Sequence, residues 1–462
     1  MEVPMPRHIP IILMTIATVV GLSSPLIAQE LTMQQAIETA LEKNHAIAAF
    51  SAKVSATQAR QDQAHGYYLP KIDLLQMFNY TNNPAEVFAF TLNQRRFDME
   101  EFFMSDPNTP DALDTWITRL EVTQPIYVGG KISTRNDQAE LMAKSAEKDL
   151  SHAQQKTVFD VTTAFANTLM AAEHLDVVRR ARETTAAHVA LAEKYAAEGF
   201  IIDAEVLNAR VYLAQMDGML VESESNADLA HSALDFSMGI DQGVRQTLHA
   251  LPSTPRVTEP VAAWMDRGVA MRRDLEARRK ELNAGRLEEK AVNPGFKPEI
   301  AIVGRYELYD DQLFGSNGHN GSVMAVAKIN LFGGGSDSAE KEAARLDALS
   351  GEHNVALFED GVRLEVRSAF AQVQSSRKKH ETATRALAAA REAMRVREMR
   401  FEQGLDKMID LLDAETALRE SELRELVARY DLTLSTYRLF FTSGTSLTEL
   451  FDVNTAPQET QQ

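Results

Sequence analysis

The strongest constraint on what this chain folds into is that it spells nearly the same order of elements twice. Gly199 precedes Phe200-Ile201-Ile202-Asp203-Ala204-Glu205-Val206-Leu207-Asn208-Ala209, and Gly404, 205 residues later, precedes Leu405-Asp406-Lys407-Met408-Ile409-Asp410-Leu411-Leu412-Asp413-Ala414. Upstream, the segment ending Ala164-Phe165-Ala166 faces the one ending Ala369-Phe370-Ala371 at the same offset of 205. Further upstream, Pro125-Ile126-Tyr127-Val128-Gly129-Gly130 resembles Ile329-Asn330-Leu331-Phe332-Gly333-Gly334 at an offset of 204. Three matches in one order mark a tandem duplication, and a duplicated unit is read first because each copy needs the other to bury its apolar face.

The first repeat spans 29–245, with an opening helix from Leu31 to His65, a β-hairpin at 69–128 and a helix pair at 131–240. The second spans 246–445, with a helix at 260–292, a hairpin at 297–333 and a helix pair at 336–443; a polar tail at 446–462 follows. The runs Lys131 to Ala197 and Asp337 to Gln403 contain no proline. Their apolar positions, such as Leu150, Val158, Val161, Phe165 and Leu169, recur at threes and fours, which is helical spacing. Helices of roughly 65 residues reach about 100 Å, longer than a compact core needs, and predict coiled coil. Taken alone, these runs also fit a cytoplasmic rod.

The segments between them do not. Ile72, Leu74, Phe78 and Tyr80 alternate with Lys71, Asp73 and Asn79, and Trp116, Leu120 and Val122 alternate with Arg119, Glu121 and Thr123. Ile300, Ile302, Tyr306 and Leu308, and then Val323, Ala325, Ala327, Ile329 and Leu331, do the same against polar neighbours. These four strands carry one apolar and one polar face, the pattern of barrel strands between lipid and water. Four strands cannot close a membrane-spanning barrel, whereas three copies supply twelve, so the membrane reading brings a trimer with it. At the amino terminus, Arg7, the apolar stretch Ile9 to Ala28 and the breakers Gly21, Ser23, Ser24 and Pro25 predict a cleaved signal peptide over 1–28.

The order of these elements, with Tyr68-Leu69-Pro70 before the first strand, Gly-Gly after the second, and the paired motifs Val206-Leu207-Asn208-Ala209-Arg210 and Leu411-Leu412-Asp413-Ala414-Glu415, resembles the TolC family of outer-membrane efflux proteins. The resemblance implies an α+β membrane protein: a homotrimeric twelve-stranded β-barrel, four strands per chain, in outer-membrane lipid, continued by a long α-helical coiled-coil barrel through the periplasm. It implies docking onto a periplasmic adaptor (membrane fusion) protein and an inner-membrane pump, as the channel subunit of a tripartite efflux or type I secretion system. The other reading is a structural or adhesive periplasm-spanning coiled-coil protein with no transport role.

The same resemblance marks Gly199, Glu205 and Gly404 as adaptor-docking turns. Asp410 and Asp413 match acidic residues that ring the family's periplasmic gate, and six carboxylates in a trimer favour cations over anions. Phe401 and Asp406 stand where well-known members place a tyrosine and an arginine that tie the coils shut, so the tie here falls to other residues, with Lys407 and Arg400 in reach.

Other chemistries find no support. No cysteine is present, the eleven histidines are scattered, and a charge of −18 excludes a nucleic-acid partner. Gly333-Gly334-Gly335 lacks the lysine of a phosphate loop, and the 18 methionines form no cluster. The reading is a protein without catalytic site, metal or cofactor. The long segment Thr81 to Asp114, rich in phenylalanine and acids, is expected as an outer loop that either packs on itself or folds over the pore mouth.

Overall fold

The computed structural model describes residues 30–243, 245–292 and 297–451. The expected signal peptide, 1–28, and the end of the tail, 452–462, lie outside the described residues. The elements in chain order are α1 (Met33–Lys43), α2 (His45–Gly66), β1 (Lys71–Thr81), α3 (Pro84–Asn93), α4 (Met99–Met104), β2 (Leu113–Val128), α5 (Lys131–Ala197), α6 (Asp203–Met238), α7 (Val261–Met271), α8 (Arg273–Ala291), β3 (Glu299–Asp310), β4 (Gly318–Lys328), α9 (Ser336–Glu402) and α10 (Met408–Thr442). Among the described residues no helix is long and apolar enough to cross a membrane.

The four strands form one antiparallel meander in the order β1-β2-β3-β4. Its register puts Phe78 opposite Trp116, Leu74 opposite Leu120, Leu120 opposite Tyr306, and Ile302 opposite Ala325. Within the strands, every apolar series named above therefore shares one face, and Ile329 and Leu331 lie beyond the end of β4. That face is bare: Leu74 is 70 % and Val323 80 % exposed, far more apolar surface than water tolerates and what lipid requires. The other face carries ion pairs directly across the strands, Arg119 with Glu307 and Arg305 with Glu121. Strands of 11 to 16 residues are long enough for a tilted strand to cross hydrocarbon.

Below the sheet, α5 and α9 each run 67 residues without a break, and α9 continues through Gly351 and Gly361. In the lower half the helices pack side by side in the order α6, α5, α10, α9. In this half α6 keeps an apolar stripe exposed, Leu207, Val211, Val221, Leu229 and Phe236, while the exposed leucines of α9, Leu346, Leu357 and Leu364, lie at and above the waist. Apolar surface left bare on an outer helix suits packing against a neighbouring subunit.

Several expectations need correction. The opening helix Leu31–His65 is two helices, broken at Asn44, and the 260–292 helix is broken at Arg272; both residues adopt extended backbone. Asn44 accepts the Ala46 N–H to start α2 and donates to the Ser237 carbonyl, while Arg272 pairs with Asp274 and Glu365. Both breaks fit against a left-handed glycine closing the last helix of the same repeat, Gly239 (φ 73°) and Gly444 (φ 71°), which themselves stand 205 residues apart. A Cβ on Gly239 would come within 2.7 Å of the Lys43 carbonyl oxygen, and one on Gly444 within 2.9 Å of the Arg272 nitrogen. The kinks depend on contacts 195 and 172 residues away, and helical periodicity has no means of signalling them.

The second hairpin also ends sooner than expected, because β4 stops at Lys328 and 329–333 form the turn into α9. The tail begins as a packed 3-10 turn, Thr448–Phe451, with Leu447 and Phe451 buried against Tyr437 and Ile37 in the waist core. The outer loop is not irregular: it holds α3 and α4. Phe88, Phe97 and Phe102 pack edge-to-face and tilted against one another at 5.5–5.6 Å, so the loop packs on itself. Its α3 end is also pinned to the sheet, with Gln94 buried and donating to Thr115 Oγ1, Asn320 donating to Asn93 Oδ1, and Phe90 against Tyr309. Thr115, Tyr309 and Asn320 all lie on the ion-paired face, so α3 also leans over the water side of the sheet.

Alanine at Gly239 or at Gly444 forces both a clash with backbone and a left-handed alanine, and each costs about 2–4 kcal/mol. Gly199→Ala has open space around its Cβ and costs only about 1–2 kcal/mol. Thermal unfolding of the detergent-solubilised protein separates the two cases; equal losses at all three sites would show that the kink contacts do not matter.

Candidate functional site

The predicted site residues gather at the end of the helices farthest from the sheet, in two turns that the duplication makes alike. In the first, the Phe200 N–H donates to the Tyr195 carbonyl at 2.9 Å and the Gly199 N–H to Ala196 at 3.0 Å. In the second, the Leu405 N–H donates to Arg400 and the Gly404 N–H to Phe401, both at 2.9 Å. Both are closures that satisfy the last carbonyls of a helix through a left-handed residue, and Gly199 (φ 81°) and Gly404 (φ 72°) supply it. Beyond the turns, Phe200, Ile202 and Leu405 stand more than 60 % exposed.

Behind the turns the two coils share an apolar plug. Val189, Ala192, Val206, Ala209, Met394, Phe401, Met408, Leu411 and Leu412 are buried together, with Tyr195 and Tyr212 at the margin. Leucines buried this completely stabilise the tip by about 1.5–3 kcal/mol each. Phe401 belongs to this plug, 6 % exposed and 6.1 Å from the Tyr195 ring. A tyrosine hydroxyl at this position would need a partner there; the phenyl ring needs none.

The acids have separate roles. Asp406 lies in the second turn between Arg397 and Arg400, at 3.0 and 2.9 Å, its side chain 5 % exposed. The hydrogen bonds from Arg400 and then Arg397 hold its carboxyl below the usual carboxylate range. Arg400 thus braces its own turn and does not cross to the other coil. Asp410 accepts the Lys407 N–H and so caps α10. Asp413, one helix turn on, accepts a hydrogen bond from the Tyr212 hydroxyl of α6 at 2.9 Å, which pushes the phenol up from its ordinary value. Glu205 sits in the first turn of α6, and its Oε2 is buried with no partner among the described residues.

Tyr212 was not legible as a site residue. A single aromatic a few residues past a motif carries no signal until the fold sets it against α10. The structure makes it a bond between the coils, from α6 to Asp413 of α10. One chain carries Asp410 and Asp413 within a turn of each other and leaves Asp413 exposed; threefold repetition would turn them into a ring.

The family model for outer membrane efflux proteins matches residues 36–240 and 264–445, one match per repeat. The chain belongs to the outer membrane efflux protein family. It is 22 % identical over 329 residues to the outer membrane protein TolC of Vibrio cholerae, covering 69 % of this chain and 74 % of that one. The fold matches the solved structure of CusC with a TM-score of 0.76 at 16 % identity, over 89 % of this chain and 92 % of the other. It matches that of the Vibrio cholerae outer membrane protein VceC at 0.74 and 17 %, over 90 % and 96 %. Members of the family are homotrimeric outer-membrane channels, not enzymes, and work with periplasmic adaptors and inner-membrane pumps. The sheet of this chain is accordingly one third of an outer-membrane barrel, and its long helices line a periplasmic tunnel.

Tyr212→Phe removes one oxygen and leaves the ring in place. A single hydrogen bond to a solvated carboxylate contributes about 1 kcal/mol, so each protomer's balance shifts about fivefold toward the loosened coil. Single-channel recording should find longer open dwell times in the variant; identical gating would remove Tyr212 from the tie.

Proposed function

We propose that the turn end of the tunnel is both its gate and its docking surface, and that Asp410 and Asp413 form the ring through which cargo enters. The observation that carries this is the placement of two acids on one face of α10, at the mouth of the coils, beside the bond that joins those coils. Three chains bring six carboxylates to one constriction, which favours cations and gives multivalent cations a place to lodge. Asp406 contributes by stiffening the turn on which the ring is mounted, and Phe401 by anchoring that turn in the apolar plug. Cargo is chosen upstream, by the pump; the duct's own contribution is charge selection and closure.

In bilayers, Asp410→Ala with Asp413→Ala should lower cation selectivity and weaken block by multivalent cations added from the periplasmic side. An unchanged reversal potential with unchanged block would take these two residues out of the gate and leave the channel itself standing.

The turns at Gly199 and Gly404 carry the docking. They present backbone close to the surface, with Phe200, Ile202 and Leu405 as apolar anchors and Glu205 just inside, a combination that suits a partner helix tip. A bulky residue at either glycine crowds that surface. Gly199→Trp and Gly404→Trp should each abolish efflux in cells while export and trimer formation persist; full drug resistance in both strains would refute docking through these turns.

A further inference from the structure

The seam between α5 and α10 encloses one acid that neither the gate nor the docking surface uses. Glu415 lies two residues beyond Asp413 and is 6 % exposed. Thr185 of α5 donates to its Oε1 at 2.9 Å. Its Oε2 faces Nε2 of His188, also on α5, at 3.7 Å, and among the described residues neither of these buried atoms has a hydrogen-bond partner. Arg419, the nearest cation on α10, directs Nη1 to the Met216 sulfur at 2.9 Å and leaves Nε unpartnered.

Two facing orphan atoms, one on a carboxylate and one on an imidazole, are satisfied together by one proton between them. We propose that Glu415 and His188 form a one-proton latch across the α5–α10 seam, which holds the coils together when the proton is present and loosens them when it leaves. The proposal rests on the gate reading above and names what sets its closed state.

The environment fixes the sign. Burial pushes the Glu415 carboxyl up to about 7, and burial holds the His188 imidazole below its ordinary value. Below about pH 7 the pair therefore carries a proton and no net buried anion, and above it the seam encloses an unpaired carboxylate. Arg419 offsets that charge only in part, since burial outweighs it, and the other charged groups at this level are engaged elsewhere. Arg182 of α5 pairs with Asp217 of α6, Arg391 of α9 pairs with Glu422 of α10, and Asp413 is bonded to Tyr212. Glu398 of α9 acts on His188 and raises its proton affinity. A carboxyl raised in the packed seam and ordinary once the seam parts favours packing at low pH, an advantage lost as pH rises through about 7. Between the ordinary carboxylate range and about 7 the packed-to-loosened ratio falls by up to about tenfold per pH unit in each protomer, and above that it levels off.

Glu415→Gln keeps the shape, still accepts from Thr185 and donates to His188, but cannot ionise. In planar bilayers scanned from about pH 4.5 to about 8, opening of the wild-type trimer should rise steeply as pH climbs toward neutrality and level off above it, and the Gln variant should stay closed and flat. Infrared difference spectra across the same step should show a protonated-carboxyl carbonyl band in the wild type that the variant lacks. A pH step that persists in Glu415→Gln, or a wild type without that band, overturns the latch. Cation selectivity reads the Asp410–Asp413 ring independently, so a failed pH step with selectivity intact removes the latch alone.

Discussion

A sheet of four strands has two open edges, and neither is tolerable in hydrocarbon. Each unpaired backbone N–H or C=O there costs several kcal/mol, and the outer sides of β1 and β4 present a row of them. The rest of the architecture follows from that debt. Three copies pair edge to edge into a closed wall; closure makes a lumen; the ion-paired face of each sheet then meets water while the bare face meets lipid. The helices inherit the threefold axis, and so residues that are unremarkable in one chain, such as two acids a turn apart, acquire a meaning only in triplicate.

What the amino-acid order reveals tracks how local the cause is. Strand alternation and the long helical runs are visible because each depends on a period of two or about 3.6 along the chain itself. The tip turns are visible because a helix closed by a left-handed residue needs glycine there, and the duplication shows it twice. The breaks at Asn44 and Arg272 are invisible, since each is bent by packing against a glycine far away in sequence. For the same reason α3 and α4 hide within a loop whose proline and acids look irregular until Gln94 reaches Thr115. At the candidate site, Asp410, Asp413 and the two turn glycines could be named beforehand, whereas Tyr212 and Glu415 matter only through partners on another helix. Asp406 was legible as a departure from its family, but its arginine brace, formed with Arg397 as well as Arg400, was not.

The two coils are joined by unlike materials. The plug around Leu411 and Leu412 is apolar, strong and indifferent to solution conditions, and it keeps each tip folded. The seam above it adds an apolar contact of Ala166 with Leu426 and a few polar ones, among them Tyr212 with Asp413, Thr185 with Glu415, and Glu173 with Arg429 and Tyr430. Polar contacts of this kind contribute little each, and they can be exchanged for water without unfolding anything. A tunnel that must open and close without losing its shape is served by this division, in which a durable apolar plug joins the coils at the tip and the polar contacts above it are replaceable.

The pinned kinks add a mechanical consequence. Asn44 with Gly239, and Arg272 with Gly444, clamp both repeats at the waist, where Phe165 and Leu439 are fully buried. From Phe165 to the end of α5 is about 50 Å of unbroken rod at 1.5 Å per residue. A rod clamped at one end is a lever: about 5° of swing at the waist sweeps its far end through roughly 4 Å, close to a helix turn's rise. The entrance can therefore widen through strain spread thinly over the shaft, and the pivot that governs the aperture lies half a tunnel's length from the aperture itself.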